Sequence, residues 1–339
     1  MTRRYEWWND LQPRITCGAD VLEQVEPAVI SGCPVAVHFP ILTSADAGAV
    51  LAAPAGVAAL DGQSITGTEN PDEWGILSAT GDSGQPLEIW LNRVVVSAEI
   101  DTSDPDFESV VRAIDGEADR WLDLARSWVE IVTGQKLTPI GYPARRANTT
   151  TLWLAPSETP EGMKFILHAP PTWDASPLVS FKRTQISDYD PAPPATLDIM
   201  RSCLELASAS TDIPFAWRLI RDARALAFVG QHRRAVIDAG AAAEIAMPIL
   251  IDNLLPVTLN PKLRKHLTDG TLGRLWEKLI ASGYSRQVDV KSDLISVRNA
   301  ATHQSGTPLT LADSENAINA AAALVEDAFP LPSRMKRLW

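Results

Sequence analysis

Six residues near the C-terminal end, Arg298-Asn299-Ala300-Ala301-Thr302-His303, set a guanidinium, a carboxamide and an imidazole among small side chains. These are the groups that work on a phosphodiester needs. An arginine fork clamps two phosphate oxygens, an asparagine amide donates to a third group, and an imidazole moves a proton near neutral pH. No cofactor or metal is called for by that set. On a helix Asn299 and His303 share a face, whereas Arg298 and His303, five apart, diverge by about 140°, a gap that only a long side chain closes. An arginine and a histidine at this spacing also occur on ordinary solvated helices, so spacing alone leaves both readings open.

The elements that must position these groups are helical. Apolar residues recur at three and four across residues 212–255, 271–282, 287–304 and 309–329, and the motif closes the third of these segments. Within 234–255, Glu244 stands among Ala241, Ala242, Ala243 and Ala246. Small neighbours let helices approach closely, so this carboxylate is expected to be covered and to require a partner. It either orients Arg298 or His303 or belongs to a structural ion pair. Pro248 is expected to kink this helix. Arg218, Arg221 and Arg224, three apart, form a ridge on the helix expected to begin at Pro214. The ridge either tracks a nucleic-acid backbone as a substrate-binding face or is simply solvated.

In this setting Arg298-Asn299 and His303, with four residues between the arginine and the histidine, resemble the motif of the HEPN superfamily. Those all-helical domains carry an Arg, four to six residues and a His at this place, with a polar residue directly after the Arg. The resemblance covers roughly residues 194–331. It implies a metal-independent endoribonuclease that needs no cofactor and works as a homodimer, two Arg298/His303 sets facing each other across a two-fold interface. The implied reaction is transesterification. His303 draws the proton from a ribose 2′-hydroxyl, Arg298 stabilises charge on the phosphate, Asn299 positions phosphate or imidazole, and a second His303 protonates the leaving oxygen. RNA is the implied partner, and DNA, lacking that hydroxyl, is not a substrate. An acid on the earlier helix is common in the superfamily, which gives Glu244 a supporting role. The resemblance further implies a prokaryotic toxin or an antiviral or stress-defence effector. Members paired with a nucleotidyltransferase antitoxin carry a Tyr two residues after the His; here that position is Ser305, which argues against such pairing. The alternative is a non-catalytic dimerisation or binding module, with the N-terminal region as a sensor.

Composition bounds the rest. At 339 residues the chain has room for two cores. It contains no apolar run long enough to span a bilayer and no signal-peptide core, so a cytoplasmic protein without membrane contact is expected. Cys17, Cys33 and Cys203 are scattered, indicating neither a disulfide framework nor a metal site. The net charge of -12 falls on the first 190 residues, and the remainder is nearly neutral, which keeps RNA binding by the second half open. An inhibitory or sensing partner on the acidic half fits that asymmetry.

Residues 34–39, 73–78 and 87–100 read as strands, as do 150–154, 164–169 and 178–186, with turns between them. Residues 44–60 read as short helical turns, and 104–134 as one or two helices with Gly116 a candidate break. The expected class is α+β. A β-rich domain spans 1–188 with a helical insert at 104–134, a proline-rich linker spans 189–195, a helical domain spans 196–331, and a basic tail, 332–339, is either a phosphate contact or a frayed end.

Overall fold

The computed structural model of the chain describes residues 2–45, 48–54, 74–81, 85–137, 151–154, 164–166, 192–286, 288–303 and 308–339. The class is α+β: antiparallel sheet in the N-terminal part, helices in the C-terminal part. Two compact units make it up. The first comprises Met1–Val129, Ala144–Thr211 and Leu338–Trp339, the second Glu130–Pro143 and Asp212–Arg337.

The sheet of the first unit is built on two long strands, β1 (Thr2–Gly18) and β7 (Pro86–Asp101), paired antiparallel from Thr2↔Asp101 to Gly18↔Glu88. The register shifts once, where residues 11–14 stand opposite Asn92 alone. Pro13, which has no N–H for a ladder, falls within that irregularity. On the other edge of β7 lie β3 (Cys33–His38), which continues to β2 (Val25–Ile30), and β6 (Gly75–Thr80). Beyond β1 come β8 (Thr151–Leu154) and β9 (Lys164–Ile166). The β2–β3 hairpin turns through Ser31 and Gly32, both at positive φ (52° and 77°), the geometry whose twist matches the flanking strands. Within 44–60, expected as helical turns, Ser44 and Ala45 instead end β4 (Ile41–Ala45) and residues 48–52 form β5 (Gly48–Ala52), which pairs antiparallel with it; residues 46–47 and 55–60 lie outside the described residues. Alanine composition alone misled there, because antiparallel pairing of the two segments overrides weak helix propensity. The strand expected at 178–186 lies outside the described residues.

α1 (Phe107–Thr133) is one helix and passes through Gly116 unbroken. Val111, Ile114, Ala118, Trp121, Ala125, Trp128 and Val132 are buried along one stripe. Covering it outweighs the roughly 1 kcal/mol that one glycine costs a helix. α2 (Leu197–Ser208) belongs with the sheet rather than with the later helices, so the unit boundary is at Thr211/Asp212 and not at the proline-rich 189–195. Three contacts explain this. Ala195 exchanges backbone hydrogen bonds with Thr16 and Gly18, Asp20 accepts the Leu197 N–H at 2.9 Å, and Arg201 clamps the buried Glu26 of β2 through Nε (2.7 Å) and Nη2 (2.8 Å).

The second unit contains α3 (Phe215–Phe228), α4 (His232–Leu254), α5 (Pro261–Thr268), α6 (Leu272–Ala281), α7 (Val297–His303) and α8 (Leu311–Ala328). Its core lies where α4 meets α3 and α8. Ala239, Ala242, Ala243 and Ala246 of α4 and Ala317, Ala321 and Ala322 of α8 are completely buried, so the backbones approach closely, while Trp217, Ile220 and Leu226 of α3 supply bulk. α4 runs through Pro248. A reciprocal capping box, Thr310 with Asp313, starts α8. α5 has no sequence signature of the apolar kind because it buries none of its residues; Pro261 at its first turn and the Asn260 cap define it. The basic tail is not frayed throughout: Met335 is buried and Arg337 pairs with Glu326 at 3.5 Å.

Candidate functional site

α7 comes directly after a π-helical stretch, Lys291–Ser296, in which Leu294 is buried and the Ser296 hydroxyl donates to the Lys291 carbonyl at 2.9 Å. A wider π turn shifts the phase of the helix C-terminal to it, so it sets which α7 residues face the bundle. Ala301 is the buried residue of α7, Arg298 is half-buried, and Asn299, Thr302 and His303 are exposed.

α4 holds α7 through a stripe of three residues. Arg233 donates to the Ala301 carbonyl, one of the orphan acceptors at the α7 C-terminus. Gly240 leaves space for the Arg298 stem: an ideal Cβ there would lie 2.9 Å from Arg298 Cγ. Glu244 accepts from Arg298 Nη2 at 3.4 Å and from the Leu272 N–H at 3.3 Å, at an α6 N-terminus where Thr271 makes no side-chain cap. The side chains of Arg298 and Glu244 are 27% and 33% exposed. Arg298 Nε is buried without a hydrogen bond.

The fold therefore brings together Arg298 and Glu244. It leaves Asn299 and His303 at the surface of the same helix, and among the described residues no hydrogen bond joins Arg298 to His303. Ser305 lies outside the described residues. Gly240 and Arg233 were not singled out as site residues by sequence. Their spacing to Glu244, four positions for Gly240 and eleven for Arg233, is that of one helix face, which is the signal that would have found them.

The ridge on α3 is engaged within the chain. Arg218 stands 3.9 Å from Asp212, Arg221 binds the neighbouring Asp222 at 2.8 Å, and Arg224 donates to the Gly134 carbonyl at 3.1 Å. Beside Arg224, the Lys136 ammonium lies 3.2 Å from the Phe228 ring centroid. Burial, together with the charge of Arg224, lowers its pKa to about 8.

A second polar cluster lies in the first unit. His38 of β3 meets the Ser97 hydroxyl of β7 at 2.8 Å and Arg4 Nη2 at 3.3 Å through Nε2, while Arg4 pairs with the buried Glu6 at 2.9 Å. Burial and then Arg4 push the His38 pKa down to about 4, so its ring is neutral near pH 7. The thiols of Cys17 and Cys203 are pushed up by burial, and all three cysteines are free. Among the described residues no group of three His, Cys, Asp or Glu side chains is placed to hold a metal ion, and no helix is long and apolar enough to cross a membrane.

Comparison of the chain with protein-family models, with curated proteins and with solved structures finds no match in any of the three.

Proposed function

We propose that the helical unit is a HEPN-type endoribonuclease acting as a homodimer, in which Arg298, Asn299 and His303 of two copies face one cleft. The observation that carries this reading is the pairing of Glu244 with Arg298, which fixes one guanidinium nitrogen and leaves Nη1 without a partner among the described residues. Exposed Asn299 and His303 on the same short helix supply the amide and imidazole. His303 takes the 2′-hydroxyl proton, the oxygen attacks the adjacent phosphorus, Arg298 stabilises the charge on the non-bridging oxygens, and the second copy's imidazolium protonates the departing 5′-oxygen. The products are a 2′,3′-cyclic phosphate and a 5′-hydroxyl. Purified wild type, Arg298→Ala and His303→Ala are compared on total RNA in the presence of a chelator, with end-group analysis. Cleavage that survives both substitutions refutes the assignment.

A second reading draws on the same ion pair. Arg298 neutralised by Glu244 suits a structural tie between α7 and α4, as expected of a helical dimerisation or binding module with the β unit as sensor. A wild-type protein that self-associates but leaves RNA intact supports this reading.

A further inference from the structure

Gly240 stands in the middle of α4, in a run where Ala239, Ala241, Ala242 and Ala243 are its neighbours. Glycine weakens a helix interior relative to alanine, so its presence in an alanine run calls for a local reason. The surroundings provide one. A Cβ at this position would lie 2.9 Å from Cγ, 3.7 Å from Nε and 3.8 Å from Cβ of Arg298. These atoms belong to the arginine stem rather than its free tip. The stem has little room to swing aside, because the buried Ala301 and the Arg233 bond to its carbonyl tie α7 to α4. One turn further along α4, Glu244 takes Nη2.

We propose that Gly240 is a positioning residue. With Glu244 it forms a seat in which the Arg298 stem crosses the bare α4 backbone, so that the guanidinium is presented, with Nη1 open, to an anionic group at the surface of α7. Only the identity of that anion, an RNA phosphodiester, rests on the function proposed above; the seat itself rests on the α4–α7 geometry. Glu244 alone does not make it, since a methyl group at position 240 displaces the stem whether or not the carboxylate remains.

The test is a double-substitution cycle read by thermal melting and by RNA cleavage. In the Arg298→Ala background the obstructed stem is gone, and Gly240→Ala raises the melting temperature by about 3 °C through its better helix propensity. In the otherwise wild-type chain the same substitution lowers the melting temperature. Equal shifts in the two backgrounds overturn the seat. On RNA, Gly240→Ala lowers kcat by about 100-fold with KM nearly unchanged, as displacement of a clamping group by about an ångström does. Coupled melting with cleavage at the wild-type rate overturns the positioning role. If wild-type protein does not cleave RNA, the nuclease assignment fails by itself, and the melting cycle still decides whether Gly240 seats Arg298.

Discussion

Glu244 Oε1 accepts from Arg298 Nη2 at 3.4 Å, and the same oxygen takes the Leu272 N–H at 3.3 Å. One carboxylate oxygen thus serves an arginine of α7 and the first turn of α6. Both charged side chains are about one-third exposed, so the ion pair itself is worth at most about 0.5 kcal/mol. Glu244→Gln keeps an oxygen for Leu272 and should cost no more than that. Glu244→Ala also removes the helix-end acceptor and should cost about 1.5 kcal/mol in urea unfolding. Equal costs for the two variants would deny the capping role.

His303 is exposed at the end of α7 and makes no hydrogen bond among the described residues. His303→Ala should leave the melting temperature within about 1 °C of wild type while lowering RNA cleavage by about 10²- to 10⁴-fold, the range of a lost general base or acid. Asn299→Ala, which removes a donor and no proton carrier, should reduce cleavage less, by about tenfold. Gel-based cleavage rates alongside melting curves check both.

Arg201 is 42% exposed but Glu26, which it clamps through two nitrogens, is only 4% exposed. Removing the guanidinium strands a covered carboxylate. Arg201→Ala is therefore expected to destabilise the first unit, and Arg201→Lys to do so by less, since a point charge keeps the attraction but cannot reproduce the two-pronged contact. Hydrogen exchange should show α2 losing protection first. An Arg201→Ala variant with wild-type unfolding would contradict the burial of Glu26.

The neutral ring of His38 makes stability pH-dependent in a defined window. Its folded pKa is lowered from 6.5 to about 4. Between those values the unfolded chain binds a proton that the folded chain refuses, so stability rises with pH across the window and is lost as pH falls from 6.5 toward 4. The full effect is about 3 kcal/mol. Because carboxylates titrate nearby, the informative quantity is the difference between wild type and His38→Gln in urea unfolding at several pH values. Parallel curves for the two proteins would show that His38 carries no such linkage.

Sequence revealed what was local. The α1 stripe from Val111 to Val132 is a pattern within one helix, and it was legible as such. The Arg298 to His303 run was legible because its chemistry is compact, and Glu244 stood out as a charge among alanines. β1 was not legible: Asn9, Asp10 and Pro13 are poor strand formers, and only pairing with the distant β7 carries a strand through this stretch. The membership of α2 was hidden for the same reason, since Ala195 meets Thr16 and Arg201 meets Glu26 across 175 residues of chain in the latter case. Gly240 was not legible, because its meaning resides in the Arg298 stem packed against it. The π turn before α7 left no signal, as its apolar spacing differs from an ordinary helix by a single inserted position.

The pairing of Thr2 with Asp101 has a temporal consequence. β1 is synthesised before β7, yet β7 is the strand with which it pairs along nearly all its length. At about 5–20 residues per second, the ribosome takes several seconds to deliver that partner. During that interval the strand that carries Tyr5, Trp7, Leu11 and Ile15, all buried in the finished sheet, lacks its main pairing partner. The longest strand among the described residues thus waits for its partner during synthesis, and slowing translation ahead of residue 101 lengthens its exposure.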